Sequence, residues 1–332
     1  MKNLWNDIHV KKFKDDLALR VYTSRLLGQD PSLVLHGGGN TSVKITEKNI
    51  VGEDEQILYV KGSGWDLVSI EKAGFSPVRM AHMIKLAELD SLSDPQMVNE
   101  LKTQLTNSSA PGPSVETILH AILPFKYVDH THADAVVTIS NTLNGEDRIR
   151  EVYGDRVIVV PYVMPGFDLS KDVGRLFSEQ ATDKTEGMVL LSHGIFSFGA
   201  TAKEAYDRMI DLVDLAEQYL INQNAWELEK PLGDLTTKSI RNEVAKLRQG
   251  ISAIIGSPVL LNLTNSERGI DFSNLNNVEN IATRGPVTPD HVIRTKRIPM
   301  IGRDVRQYVE DYALYFDTHQ PNAKERKIIL DE

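Results

Sequence analysis

The chain has 332 residues, no cysteine and a formal charge of −9, from 37 basic and 46 acidic side chains. With 41% hydrophobic and 25% charged residues it has the composition of a soluble globular protein, long enough for one large core with an appendage or for two domains. The acidic balance argues against broad nucleic-acid binding, and the missing cysteines exclude disulfides and thiolate ligands, so a metal here must use imidazole and carboxylate.

Met1 to Asp16 is charged and lacks the apolar core of a secretory signal. No apolar run approaches the ~20 residues of a membrane span, so the expectation is a cytoplasmic enzyme with no membrane partner. Val10 to Leu27 places Phe13, Leu17, Val21 and Leu26 on a rough helical stripe ending near Gly28. Gly37-Gly38-Gly39-Asn40-Thr41-Ser42 then reads as a turn joining one strand, Leu33 to Leu35, to another, Thr41 to Ile45. Ile57 to Val60 is a strand that breaks at Gly62-Ser63-Gly64. Ser76-Pro77 and Asp94-Pro95 carry the signature of a cap followed by a first-turn proline, predicting helices to about Leu89 and Leu105.

Ser114 caps a predicted short helix, Val115 to Leu123, followed by a strand into His130 and a helix from Ala133 to Asn141. Val157 to Val160 is a strand, Leu169 to Ala181 a helix, and Met188 to Gly199 two strands around His193-Gly194. Thr201 to Gln223 is a long helix with Ala205, Met209, Leu212, Val213, Ala216 and Leu220 on its core face. Strands and helices interleave to about residue 223, which defines one α/β domain, residues 1–231. Beyond Pro231 the texture changes: a charged helix is expected at Lys238 to Gln249, a strand at Val259 to Leu263, and a rigid turn at Gly285-Pro286 and Thr288-Pro289. Residues 232–332 read as a smaller α+β subdomain.

The chemistry concentrates in a few motifs. His130-Thr131-His132 puts two imidazoles on one face of an extended segment, because side chains alternate along a strand. A third imidazole, from His193, would complete a three-nitrogen site that leaves one position open, as catalytic zinc requires. The competing reading is that these histidines hydrogen-bond within loops. Glu116 precedes the His130 strand and either ligates or acts as general base, or is a first-turn carboxylate that the helix dipole favours by about 0.3–1 kcal/mol. Gly39, Asn40, Lys61, Ser63, Gly64 and Ser114 supply backbone and side-chain donors suited to one phosphate group. Each glycine turn, alone, is more often plain turn chemistry, and the spacing of a dinucleotide fingerprint is absent. Tyr153 and Glu151 are candidates for a further proton donor. Asp290, His291, Arg294 and Lys296 read as a lid or second phosphate contact, or as a solvated basic strand. His36 lines the pocket, and His9, His82, His120, His291 and His319 are read as structural.

Gly38-Gly39-Asn40-Thr41-Ser42, Gly62-Ser63-Gly64, Pro113-Ser114-Val115-Glu116-Thr117, Val128-Asp129-His130-Thr131-His132 and Leu191-Ser192-His193-Gly194, in this order, resemble the class II aldolase/adducin family. That family includes fuculose- and rhamnulose-1-phosphate aldolases and ribulose-5-phosphate 4-epimerase. Arg284-Gly285-Pro286-Val287-Thr288-Pro289-Asp290-His291 is similar to the aldolase half of long proteins that join a rhamnulose-1-phosphate aldolase to a short-chain dehydrogenase, of which this chain would be a stand-alone or shortened version.

The resemblance implies a three-layer α/β/α fold around a mostly antiparallel sheet and a homotetramer with its site at a subunit interface. It implies Zn2+, or another divalent metal, on His130, His132 and His193, Glu116 as the catalytic carboxylate, and Asn40, Ser63, Gly64 and Ser114 around the phosphate. The implied reaction is reversible cleavage of a ketose 1-phosphate to dihydroxyacetone phosphate and an aldehyde such as lactaldehyde. Two features depart from the pattern. Val115 stands where compact members have a second serine, with Lys61 as the candidate substitute, and the interval from Glu116 to His130 is shorter than in the fuculose enzymes. The alternatives are a sugar-phosphate epimerase or dehydratase on the same metal site, or a non-catalytic adducin-like interaction module.

Overall fold

Seven segments pair into one sheet: β1 (Asn40–Lys48), β2 (Asp54–Lys61), β3 (Phe75–Arg79), β4 (Tyr127–Thr131), β5 (Val157–Val160), β6 (Gly187–Leu190) and β7 (Gly194–Gly199). Their order is β3-β2-β1-β4-β7-β6-β5, and all neighbours are antiparallel except β5 and β6. The computed structural model describes residues 1–227, 240–264 and 266–323.

Period-two alternation feeds two apolar layers. Val157, Val159, Val189 and Ile195 face one side. There they pack against α2 (Asp16–Gly28), α6 (Asp134–Ser140), α7 (Gly145–Tyr153) and α9 (Ala202–Asn222). Ile158, Val160, Met188, Leu190, Phe196 and Phe198 face the other side, under α5 (Thr117–Ile122) and α8 (Phe167–Gln180). Leu58, Val60 and Val78 extend that face under α3 (Met80–Ala87) and α4 (Asp94–Thr103). The result is the expected α/β/α sandwich around a mostly antiparallel sheet.

Several local expectations give way to context. The stripe at 10–27 divides into α1 (Asp7–Val10) and α2, because the Asp15 side chain accepts from the Ala18 amide and starts a new helix. Leu33 and Val34 are buried, but they lie in a turn opened by Asp30, whose carboxylate accepts from Ser32; the glycine run therefore precedes one strand rather than joining two. Ser76-Pro77 does not open a helix. It lies inside β3, an edge strand where proline's missing N–H breaks no ladder, and α3 begins only at Met80. The remaining helices and strands lie within a few residues of their expected bounds.

By contacts the chain divides into two compact units, and Pro286–Arg294, including the one-turn helix α13 (Pro289–Val292), belongs to the first with Met1–Trp226. In the second, the described residues carry α10 (Arg241–Ile255), α11 (Glu267–Ser273), α12 (Val278–Ala282) and α14 (Val305–His319), and no strand. The expected strand at 259–263 is irregular: Leu260 and Leu263 are exposed, and among the described residues no neighbouring strand offers a ladder. Lys238, the expected start of the first of these helices, and the expected boundary at 231/232 lie outside the described residues.

One polar contact holds β4 from beneath. Arg20 of α2 and Asp129 are both fully buried, with Arg20 Nη2 2.5 Å from Asp129 Oδ1. The contact is close but poorly aligned, and neither carboxylate oxygen gains a well-directed donor. Burial therefore pushes the Asp129 carboxyl upward in spite of the cation. Arg20 also donates to Ser42 O at 3.3 Å and Thr23 Oγ1 at 2.6 Å, tying α2 to β1. Removing one member of such a pair strands the other charge. Arg20→Met is expected to cost about 3–5 kcal/mol in denaturant unfolding, and the double variant Arg20→Met/Asp129→Leu to recover most of that loss. Equal losses in the single and double variants would contradict this account.

Candidate metal centre

Register brings the first parts of the site together. Asn40 pairs with His130 across β1 and β4, and His130 pairs with Phe196 across β4 and β7, so the three lie in one row on the α5 face. The His130 ring stacks on Phe196 with centroids 4.1 Å apart. His132 follows two positions later, just past the strand end, and projects to the same side. His193 comes from the β6–β7 turn, where Ser192 takes a φ of 57°. Gly194 must follow it, because a Cβ there would lie 2.4 Å from the Thr131 carbonyl and 3.1 Å from both the His130 and His132 rings.

The three imidazoles are buried, and their ligand nitrogens lie within 4.8 Å of one another. His130 Nδ1 donates to the Ile195 carbonyl at 3.1 Å, and His132 Nδ1 to Asp290 Oδ1 at 2.6 Å. Those acceptors assign the proton of each neutral ring to Nδ1 and leave the lone pairs on Nε2. The two Nε2 atoms then face each other at 3.1 Å. Two nitrogens on one tetrahedral zinc, with bonds of ~2.0–2.1 Å, stand about 3.3 Å apart. Opposed lone pairs repel, and a shared cation relieves them. Burial lowers His130 well below its ordinary pKa and His193 to about 4, against the opposing pull of Glu116 in both cases, so both are uncharged at neutral pH, the form that binds metal. The donor set fits a divalent cation.

Glu116, at the N-cap of α5, is buried in the same cluster. Its Oε2 lies 3.5 Å from His130 Nε2 and its Oε1 3.5 Å from His193 Nε2, so the short interval between Glu116 and His130 does not keep the carboxylate from the imidazoles. Oε1 has no hydrogen-bond partner. Burial opposes its ionisation, but His130, His193 and the Asn40 amide outweigh burial and hold the carboxyl at about 2.

A chain of hydrogen bonds orients that carboxylate. Ser42 Oγ meets His120 Nδ1 at 2.8 Å, His120 Nε2 meets Asn40 Oδ1, and Asn40 Nδ2 donates to Glu116 Oε2 at 2.6 Å. The sequence reading treats His120 as structural only; its place one turn after Glu116, on the same helix face, is the signal that could have found it.

The glycine turns also meet. Gly37 and Gly39 take left-handed backbone, φ 83° and 55°. Lys61 Nζ donates to Gly37 O at 2.7 Å, and Asn40 Nδ2 reaches Ser114 Oγ at 3.2 Å. Ser63 and Gly64 are exposed at the rim, as is Val115. Burial lowers the Lys61 ammonium to about 8, with Asp66, Asp290 and Glu116 opposing.

Tyr153 is not part of this cluster. It is buried in the core against α9 and its hydroxyl donates to the Leu212 carbonyl at 3.0 Å, so it faces neither this pocket nor a neighbouring subunit. Glu151 is exposed and accepts from the Tyr219 hydroxyl at 3.2 Å. Asp290 and Arg294, expected at a lid, instead bond to the site and its loop: Asp290 to His132, and Arg294 Nε to His36 O at 2.9 Å.

Among the described residues, no helix is long and apolar enough to cross a membrane. The N-terminal class II aldolase domain of a conserved protein from Thermoplasma acidophilum is 45% identical, with a TM-score of 0.61 over 66% of this chain and 99% of that one. An L-fuculose-1-phosphate aldolase from Thermus thermophilus is 18% identical, with a TM-score of 0.40 over 62% of this chain and 96% of that one. A protein of Bacillus subtilis (strain 168) described as uncharacterized oxidoreductase YuxG is 30% identical over 346 residues, 97% of this chain and 50% of its own. The chain thus spans about half the length of that curated relative. The family model for the aldolase class II second domain matches residues 237–332. The model for the class II aldolase and adducin N-terminal domain matches residues 18–220, and the chain belongs to that family.

Proposed function

We propose that the chain is a zinc-dependent aldolase that reversibly cleaves a ketose 1-phosphate of the rhamnulose type into dihydroxyacetone phosphate and an aldehyde such as lactaldehyde. The observation that carries this reading is the meeting of three buried imidazoles with one buried carboxylate beside two glycine turns. A divalent cation on His130, His132 and His193 would supply Lewis acidity to a substrate carbonyl.

The protein's own groups divide the remaining work. Glu116, ionised and with Oε1 unpartnered, takes and returns a proton on the triose phosphate fragment. Asn40 holds that carboxylate in place, and His120 holds Asn40. Phosphate is taken by backbone N–H groups of Gly39 and Gly64, the Ser63 and Ser114 hydroxyls and the Lys61 ammonium. Because Tyr153 is sealed in the core, a proton for the aldehyde oxygen comes from another group, supplied in the implied homotetramer by a neighbouring subunit.

Zinc-loaded protein incubated with dihydroxyacetone phosphate and lactaldehyde is expected to form a ketose phosphate, detectable by mass spectrometry. Absence of a ketose phosphate from this pair, together with an isomerised or dehydrated product when a ketose phosphate is supplied instead, would replace the aldolase reading with its epimerase or dehydratase rival. Glu116→Gln should keep its zinc and lose about 10²–10⁴-fold in turnover; near-normal cleavage would remove Glu116 from the mechanism. His132→Ala should lose the metal, and unchanged zinc content by elemental analysis would refute the ligand set.

The buried imidazoles also set a pH dependence. The His193 pKa falls from 6.5 to about 4 on folding, so between those values the unfolded chain binds a proton that the folded chain refuses. Stability of the metal-free protein should therefore fall as pH is lowered through this window. Urea midpoints measured across it check the sign, and a midpoint that stays level or rises on acidification would contradict the assignment.

A further inference from the structure

We propose that Asp290 is the carboxylate that positions His132 for metal binding, carried to the centre by the segment 286–294. The inference rests on the metal reading above and adds to it a residue 158 positions from the imidazole it serves.

Four observations converge on Asp290. It is buried, and Oδ1 accepts from His132 Nδ1 at 2.6 Å. Oδ2 accepts the Leu35 amide at 2.8 Å, so both carboxylate oxygens are engaged and the group is fixed at two points. The glycine run is cut to admit it, because a Cβ on Gly38 would lie 1.4 Å from Asp290 Oδ1. Finally, the segment is tied down on either side. Asn141 Nδ2 donates to Val287 O at 3.1 Å, and the Arg294 guanidinium donates twice to His36 O, at 2.9 and 2.6 Å.

The chemistry of the contact separates His132 from its two companions. His130 gives its Nδ1 proton to a neutral carbonyl, and His193 Nδ1 has no hydrogen-bond partner. His132 alone of the three gives its proton to an anion at Nδ1. A carboxylate acceptor fixes the tautomer, holds the ring plane and makes Nε2 a stronger donor to a cation. Gly38 then has two uses: its neighbours form the turn, and its missing side chain is the space through which Asp290 reaches the imidazole.

The test measures metal affinity rather than turnover. Full-length protein is stripped with chelator, and zinc binding is measured by competition with a chromophoric chelator. Asp290→Asn is expected to bind about 10–100-fold more weakly than wild type, with a shifted visible spectrum when cobalt replaces zinc. Gly38→Ala keeps the carboxylate but blocks its approach, and should weaken zinc in the same direction. In zinc-loaded wild-type protein, imidazole ¹⁵N NMR should find His132 protonated at Nδ1 and metal-bound at Nε2, a readout that needs no variant to fold. Wild-type affinity and cobalt spectrum in both variants, or metal on His132 Nδ1, would overturn the role of Asp290 while leaving the metal reading intact. A wild-type protein that takes up neither ion would overturn both.

Discussion

Two nitrogen lone pairs 3.1 Å apart, on rings that cannot turn away, form the constraint around which this structure is arranged. Free imidazoles would avoid the arrangement by rotating or by taking up a proton. Contacts hold both rings in place, and protonation is disfavoured at His130. The Ile195 carbonyl and Asp290 hold both Nδ1 protons, Phe196 stacks on the first ring, and burial disfavours the charged form of His130. On the opposite face of the sheet, Arg20 pins Asp129, the residue next to His130, so the strand itself cannot slip to relax the contact. A register slip of one residue would carry Asp129 to the α5 face and His130 into the layer beneath α9.

The same economy governs the carboxylate. Glu116 is buried, and His130, His193 and one amide hold it ionised against that burial; the amide's orientation is set by His120 and, behind it, Ser42. Both Asn40 Nδ2 contacts are thereby directed at Glu116 and Ser114. In the proposed reaction this leaves the phosphate to the backbone of the two turns, to the hydroxyls of Ser63 and Ser114 and to Lys61. Lys61 is tethered to the Gly37 carbonyl and, at a pKa of about 8, remains largely cationic at neutral pH.

What could be read from the residues alone was whatever depends on short-range periodicity. The two-residue spacing of His130 and His132 on an extended segment, the core stripe of α9 and the capped start of α4 need nothing beyond their own neighbours, and each lies where expected. Ser76-Pro77 misled because proline suits a first helical turn and an edge strand equally; only the strand order β3-β2-β1 separates them. Val259 to Leu263 misled for the opposite reason: β-branched and leucine-rich sequence makes a strand only where a partner strand exists. Tyr153 is a proton donor by its chemistry but not by its surroundings, because α9 covers it. His120 lies one turn after Glu116 and could have been read locally, whereas the contact of Asp290 with His132 required pairing a distant segment against the glycine loop, which no local window contains.

The contact of Asp290 with His132 changes how the site should be divided. A metal centre whose ligands all lie between residues 130 and 193 could be complete within one continuous stretch. Here the three imidazoles lie within one stretch of chain, but the carboxylate bonded to His132 Nδ1 enters after the chain has passed through the second unit, and the segment that carries it ends at Arg294. The segment 286–294 is joined at both ends to chain of the second unit, and its hydrogen bonds to Leu35, His36 and Asn141 tie it to the first. Loss of those bonds would leave three histidines, a glutamate and an intact sheet, while removing the anionic acceptor from His132 Nδ1. Under the proposal, metal affinity would depend on this loop contact as well as on the imidazoles, and Gly38, which carries no functional group, contributes the space the contact occupies.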